Sequence, residues 1–431
     1  MTKRTADIAK LDDLGGSIHG MHPRNQYKNN PPNFKQLAKE CPELQPFVCG
    51  LESNPYIDFK NPEASRLCPT VPNRLNYILW LQDLLKETMQ DKPDHILGMD
   101  IGVGASCIYP LLGCVSDPTW SFIGTDIDQV SIEYAQKNVE RNQLQDRITL
   151  IHNTDPNLIF LWDKIPLNSR FAFSMCNPPF YESEDEIKDN SQAKLLEPSA
   201  ICTGTKGEMI TKGGEYGFIE RMIKESILHK GRIKWYTSMI GQKKTIKPIV
   251  NTLKDLNINN YVVTEFNQGK TKRWAIGWSF DTQRAVDARS LDFYRPKSQF
   301  TIQLPKDISH VHSKTIDILQ DLAIKFNQED GHHIILEGSP KANTWSRAAR
   351  RKKNCVTPRD CDGLFGFRCE LIPNNNSDAS RTELDTIVKM SWMAGEDRNL
   401  FESFWNHLKK RLEEACGIER GCTFGDSKKK V

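Results

Sequence analysis

The sequence predicts an α/β chain: a Rossmann-like, doubly wound sheet of seven strands, followed by a smaller C-terminal α+β domain. Three observations carry this. Short apolar runs alternate with helical patterns between residues 95 and 280. The first run ends in a glycine turn, as the strands of parallel sheets do where they feed a helix. The last two runs flank the polar stretch NQGKTK and read as a closing hairpin.

The elements follow in order. Residues 1–20 are polar and are expected to be disordered. Residues 21–35, MHPRNQYKNNPPNFK, form a basic arm with interspersed aromatics, expected to be extended because proline biases its predecessor away from helix. Pro72 opens a helix whose Leu75, Ile78, Leu79 and Leu85 share one face. Strands are predicted at 95–102, 121–127, 147–152, 171–176, 232–240, 261–266 and 273–280, and Asp128 caps the helix after the second. The polar excursion 183–215 reads equally as a lid or as a disordered loop. Residues 283–295 read as a linker. A second domain at 296–418 follows, with strands at 299–304, 332–338, 364–372 and 386–393. It has one helix through Ile316, Leu319, Ala323 and Phe326, and another with Phe401, Phe404, Trp405, Leu408 and Leu412 on one face. A basic tail, 419–431, closes the chain.

Composition narrows the function classes. The 431 residues carry a formal net charge of only +3, so a polyanion surface must come from local clustering. The 12 cysteines include no closely spaced pair, so a structural zinc site is not expected, and scattered thiols suit a reducing compartment. Neither a signal segment nor an apolar run of about 18 residues is present, so no membrane association is expected.

The turn DIGVGAS, residues 100–106, follows a strand and opens a helix. Gly102 and Gly104 let the backbone bend sharply beside a ligand, and Asp126, ending the next strand, is placed to accept ribose hydroxyls. Ser106 stands where a dinucleotide site wants its third glycine. Asp100 precedes the turn, where an acid would repel pyrophosphate and suit a sulfonium or ammonium group. These features favour S-adenosyl-L-methionine over NAD.

The stretch SMCNPPFY, residues 174–181, then ends the fourth strand beside that turn. An exocyclic purine amine is a poor nucleophile, so positioning matters most. The Asn177 side chain and the Pro178 carbonyl can each accept one amine N–H, Pro178 and Pro179 stiffen the turn, and Phe180 offers a face to the base. Tyr181 adds a second surface; such stacking contributes ~1–3 kcal/mol per base. The turn itself does not choose among adenine in RNA, adenine in DNA and a protein glutamine.

Here a family resemblance becomes visible. The stretches MHPRNQYKNNPPNF, PTVPNRLNYILW, DIGVGASCIYPLLG, CNPPF and EFNQGKTKRWAIGWSF are similar to those of the U6 small nuclear RNA (adenine-N6) methyltransferase family, methyltransferase-like protein 16. The likeness covers residues 21–282. The C-terminal WMAGEDRNLFESFWNHLKKRL resembles the family's second RNA-binding domain, kinase-associated-1-like in animal members. The resemblance implies a class I methyltransferase sheet with Arg74, Gly102, Ser106, Asp126 and Asn157 on the cofactor and Asn177 to Phe180 on the adenine. It implies as substrate an adenosine in a UACAGAG-like context of structured RNA, with roles in splicing and a nuclear location, the cytoplasm second. Asp126 stands where animal members have Glu, and Asn157 where they have Thr.

A stacked adenine cannot reach Phe180, so the target must be unpaired or flipped. Three basic patches are candidates for the flanking backbone: His22, Arg24, Tyr27 and Lys28; Lys270, Lys272 and Arg273; and Arg347, Arg350, Arg351, Lys352 and Lys353, which could instead serve nuclear import. A non-enzymatic alternative is an RNA-binding splicing factor that uses the same fold as a surface.

Overall fold

The computed structural model describes residues 20–50, 55–57, 70–89, 93–179, 181–183, 210–268, 271–331, 333–351, 363–374 and 385–418. The expected disordered start, the basic tail and most of the 183–215 excursion lie outside them. The chain divides into two compact units. The first holds residues 1–281 and 287–296, the second 282–286 and 297–431.

In the first unit, helix α1 (Phe34–Glu40) and the short strands β1 (Val48–Cys49) and β2 (Tyr56–Ile57) precede helix α2 (Val71–Thr88). The sheet then builds through β3 (Ile96–Ile101), α3 (Ile108–Ser116), β4 (Trp120–Asp126), α4 (Gln129–Arg141), β5 (Ile148–His152) and β6 (Phe171–Cys176). After the excursion come α5 (Gly214–His229), β7 (Ile233–Ile240), α6 (Lys243–Asp255), β8 (Asn260–Gln268) and β9 (Thr271–Ser279). The strand order is β5-β4-β3-β6-β7-β9-β8, parallel from β5 to β7 and antiparallel at the β9–β8 edge. This is the seven-stranded sheet the alternation predicts. Its β6 is buried at every position, as a central parallel strand covered on both faces must be. Order reverses at β3, between β4 and β6, which opens a crevice at the carboxyl ends of those strands.

Three local expectations are corrected. The arm is not extended: Asn25 N–H donates to the His22 carbonyl and Lys28 N–H to the Asn25 carbonyl, closing consecutive turns. Phe34 begins α1, because the Asn33 side chain accepts from Gln36 N–H and caps the helix. Helix α2 is buried around most of its girth, not on one face: Asn76, Tyr77, Trp80 and Leu81 are covered along with Leu75, Ile78, Leu79 and Leu85. Arm residue Asn25 and Arg289 both bond to it.

The segment 283–295, expected as a linker, has neither helix nor strand. It is nonetheless bonded. Arg284 donates to the Gly395 carbonyl at 2.9 Å and its guanidinium lies 3.4 Å from the Trp392 ring centre. Further along, Leu291 N–H donates to the Val263 carbonyl at 2.6 Å.

The second unit is an antiparallel sheet, β10-β14-β13-β12-β11, of β10 (Gln299–Leu304), β11 (Phe326–Asp330), β12 (Ile334–Gly338), β13 (Gly366–Asn374) and β14 (Asp385–Ala394). Helices α7 (Ile308–Asp321), α8 (Arg347–Arg351) and α9 (Arg398–Ala415) accompany it. The predicted α9 face is fully buried, with Trp405 stacked on Phe300 at 5.8 Å and Phe401 on Trp392 at 5.9 Å. The predicted helix through Phe326 stops early. Ala323 takes φ +55° just past the end of α7, and Phe326 starts β11, a polar edge strand that the helical spacing concealed. No described helix is long and apolar enough to cross a membrane.

Candidate active site

A cavity of about 280 Å³ opens at the crevice. Its floor is the β3–α3 turn. Gly102 and Gly104 sit at φ +73° and +64°, which L side chains rarely adopt, so the turn requires glycine at both. A Cβ on either would meet nothing within 4 Å, so the backbone faces open space. Gly102 and Val103 N–H groups both donate to the Thr125 carbonyl, tying the turn to the end of β4.

Asp126 closes one wall. Its two carboxylate oxygens accept from Gly104 N–H at 2.8 Å and Asp128 N–H at 2.9 Å. Asp128 does cap α4, accepting from Val130 and Ser131 N–H. On the far wall Arg74, from the first turns of α2, lies over the Tyr109 ring at 5.8 Å.

The Asn-Pro-Pro turn supplies the remaining wall. Asn177 and Pro179 line the cavity, with Pro178 buried between them. The Asn177 side-chain oxygen is buried with no hydrogen-bond partner among the described residues. An unsatisfied buried acceptor costs about 1–3 kcal/mol, so its natural partner is a ligand donor. Phe180 lies outside the described residues. Tyr181 pairs with Ile210 and its carbonyl accepts from Thr211 N–H at 3.0 Å, so the excursion begins and ends beside the cavity that Ile210 and Thr211 line.

Two expected cofactor residues do not reach this wall. Asn157 is exposed and bonds Asp155. Asn153 lines the cavity instead, its N–H donating to the Asp126 carbonyl and its side chain to the Leu158 carbonyl. The position of Asn153, just past β5 at the carboxyl edge, could have marked it. Asp100 is fully buried and is not a lining residue; both its carboxylate oxygens lack a partner among the described residues. Burial, and then the Asp126 charge, push its carboxyl well above the usual range. Phe218 and Arg221 of α5 were invisible in the sequence, because the long excursion hides how close α5 returns.

The basic candidates divide. His22 and Arg24 hold the arm on α2: His22 Nε2 lies 2.8 Å and Arg24 Nη2 2.5 Å from the Asp83 carboxylate. Tyr27 is half-buried and Lys28 exposed. Lys272 pairs with Glu265 at 3.1 Å, and Arg273 is partly buried. Because Trp274 pairs with Ile240, the β8–β9 hairpin tip lies at the carboxyl end of β7, the edge that carries Asn177. Lys270, Lys352 and Lys353 lie outside the described residues. Arg347 and Arg351 are exposed on α8, which also contains Arg350.

The site fits S-adenosylmethionine: an open backbone cradle, a carboxylate, a cation and an amide oxygen without a partner among the described residues share one cavity. Comparison with known proteins agrees. The U6 small nuclear RNA (adenine-(43)-N(6))-methyltransferase of Schizosaccharomyces pombe is 37% identical over 361 residues, 81% of this chain and 88% of that one. The RNA N(6)-adenosine-methyltransferase mettl16 of Danio rerio is 32% identical, covering 91% and 97%. The crystal structure of the hMettl16 catalytic domain in complex with MAT2A 3'UTR hairpin 1 superposes with TM-score 0.55 at 37% identity, over 61% of this chain and 96% of that one. A family model described as RNA methyltransferase matches residues 16–67 and 64–282, and this chain belongs to that family.

Proposed function

We propose that this chain transfers a methyl group from S-adenosylmethionine to the exocyclic amine of an unpaired or flipped adenosine in structured RNA. U6 small nuclear RNA, named for the Schizosaccharomyces pombe relative, is the substrate of choice, and a UACAGAG-like context is what the family resemblance implies. The observation that carries the reading is the buried Asn177 oxygen, without a partner among the described residues, in the same cavity as the Gly102–Ser106 cradle. Bound there, the cofactor supplies an electrophilic methyl group on a sulfonium. The chain's own residues do the rest. Asn177 accepts one amine N–H and fixes the direction in which the lone pair points; the paired prolines keep that oxygen from turning away. Asp126 and Arg74 hold the two polar ends of the cofactor, the ribose and the amino-acid carboxylate. Holding both reactants in one orientation can contribute on the order of 7–11 kcal/mol at best.

The hairpin tip would grip RNA around the target, Arg347 and Arg351 of the second unit would bind RNA as well, and a nuclear place beside the splicing machinery follows from such a substrate. The test is transfer of a labelled methyl group to an RNA hairpin bearing the target adenosine, beside matched DNA and a glutamine peptide. Label on the RNA adenine alone supports the reading. Label on the peptide or DNA alone, or RNA binding without label, rejects it.

A further inference from the structure

The end of the sheet opposite the active site carries charge that the catalytic reading does not use. Strands β6 and β7 run parallel with Phe171 registered against Ile233. The residues just before them, Arg170 and Arg232, are therefore brought side by side at the amino edge. Lys230 and His229 precede Arg232 at the end of α5, and all four line one shallow hollow. Like charges held together are unfavourable unless something neutralises them. Among the described residues none of Arg170, Lys230 and Arg232 has a carboxylate partner. Arg170 donates to the Ser169 carbonyl at 3.3 Å and Arg232 to the Pro166 carbonyl at 3.2 Å.

The cations are nonetheless set in place. The Arg232 guanidinium lies 3.9 Å from the Trp162 ring centre, and the His229 ring 5.0 Å from the same ring. Lys230 lies 5.7 Å from the Phe280 ring centre. Ring contacts fix the Lys230 and Arg232 heads while leaving their charge unneutralised, an arrangement suited to phosphates. Lys234 close by pairs with Asp281 at 2.7 Å and adds no net charge to the patch.

We infer that Arg170, Lys230 and Arg232, with His229 beside them, form a second phosphate-binding surface that holds RNA backbone outside the target site. This rests on the RNA reading above. Arg170 and Asn177 bracket the six residues of β6, so the two surfaces lie roughly 20 Å apart. An RNA trimmed to the loop around the target seats at the first surface alone; a longer stem or flanking strands add contacts at the second.

The test uses the full chain carrying Arg170→Glu with Lys230→Glu. These are exposed positions, chosen so that the Arg232–Trp162 stack stays intact. Affinity is measured by anisotropy for a minimal hairpin and for versions extended at the stem and at either flank. The expected result is an extended RNA bound roughly 5- to 20-fold more weakly, with a salt slope shallower by about one per cation removed. Methylation of the minimal hairpin stays unchanged, and so does the unfolding temperature. Unaltered affinity for every extended RNA overturns the inference while leaving the methyltransferase reading intact. Equal losses on minimal and extended RNAs overturn it too.

Discussion

The Gly104 backbone N–H donates to the Asp126 carboxylate at 2.8 Å, so the residue expected to bind ribose also holds the cofactor turn in shape. Its other oxygen accepts from Asp128 N–H. Asp126→Ala removes a ligand contact and two acceptors at once. It should abolish measurable cofactor binding in calorimetry and lower stability by about 1–3 kcal/mol, the cost of leaving donors unpaired. A variant that folds normally and binds cofactor normally would remove Asp126 from the site.

Asn177 behaves oppositely. Its buried oxygen has no partner among the described residues, so the substitution removes an unsatisfied acceptor. Asn177→Ala should leave the unfolding temperature unchanged or slightly raised. Methyl transfer at saturating RNA should fall by roughly 100-fold or more, as when a preorganised polar contact is lost. Single-turnover kinetics separate this from a binding defect.

Asp100 is the second such site. Its carboxyl is fully buried, unpartnered and raised by burial and by Asp126. Asp100→Asn removes that repulsion, so stability should hold or rise. Cofactor affinity should change little, since Asp100 does not line the cavity. A fall of tenfold or more, about 1.4 kcal/mol, would place its carboxyl in the cofactor site.

The arm offers a third case. The carboxyl of Asp83 is drawn below its ordinary range by the hydrogen bond and charge of His22 and by Arg24, against the opposing effect of burial. Its contribution is present above the unfolded value and is lost as pH falls through the folded one. Asp83→Asn should therefore expose the arm to protease at neutral pH, where the wild-type chain resists. The difference should vanish in strong acid.

Glu87 carries the opposite sign. Burial raises its carboxyl to about 7, although Asp287 N–H donates to it at 2.7 Å. The folded chain thus holds a proton that the unfolded chain releases above about 4.5. Stability from this group is full below that pH and declines up to about 7, by on the order of 1–3 kcal/mol in total. Denaturation of Glu87→Gln at pH 5 and pH 8 should show that slope removed.

Much of this protein was written in local pattern. The seven strands, the Asp128 cap, the glycine turn and the α9 apolar face all follow from spacing and residue type, because each depends on neighbours a few positions away. Asn177 was legible for the same reason: a polar residue between a buried strand and two prolines has few other uses. Its missing partner, however, is a fact of tertiary packing. So is the attachment of His22 and Arg24 to Asp83, which turned two candidate RNA contacts into a clamp.

Phe218 and Arg221 reach the cavity only because the excursion after Tyr181 returns at Ile210. Arg170 and Arg232 meet only because β6 and β7 pair in register. The sequence by itself determined the elements and the chemistry at the strand ends, since periodicity and turn geometry are short-range. Which distant side chains share a cavity, a clamp or a charged patch was decided by the folded sheet, since strand order and register bring together residues that no local spacing connects.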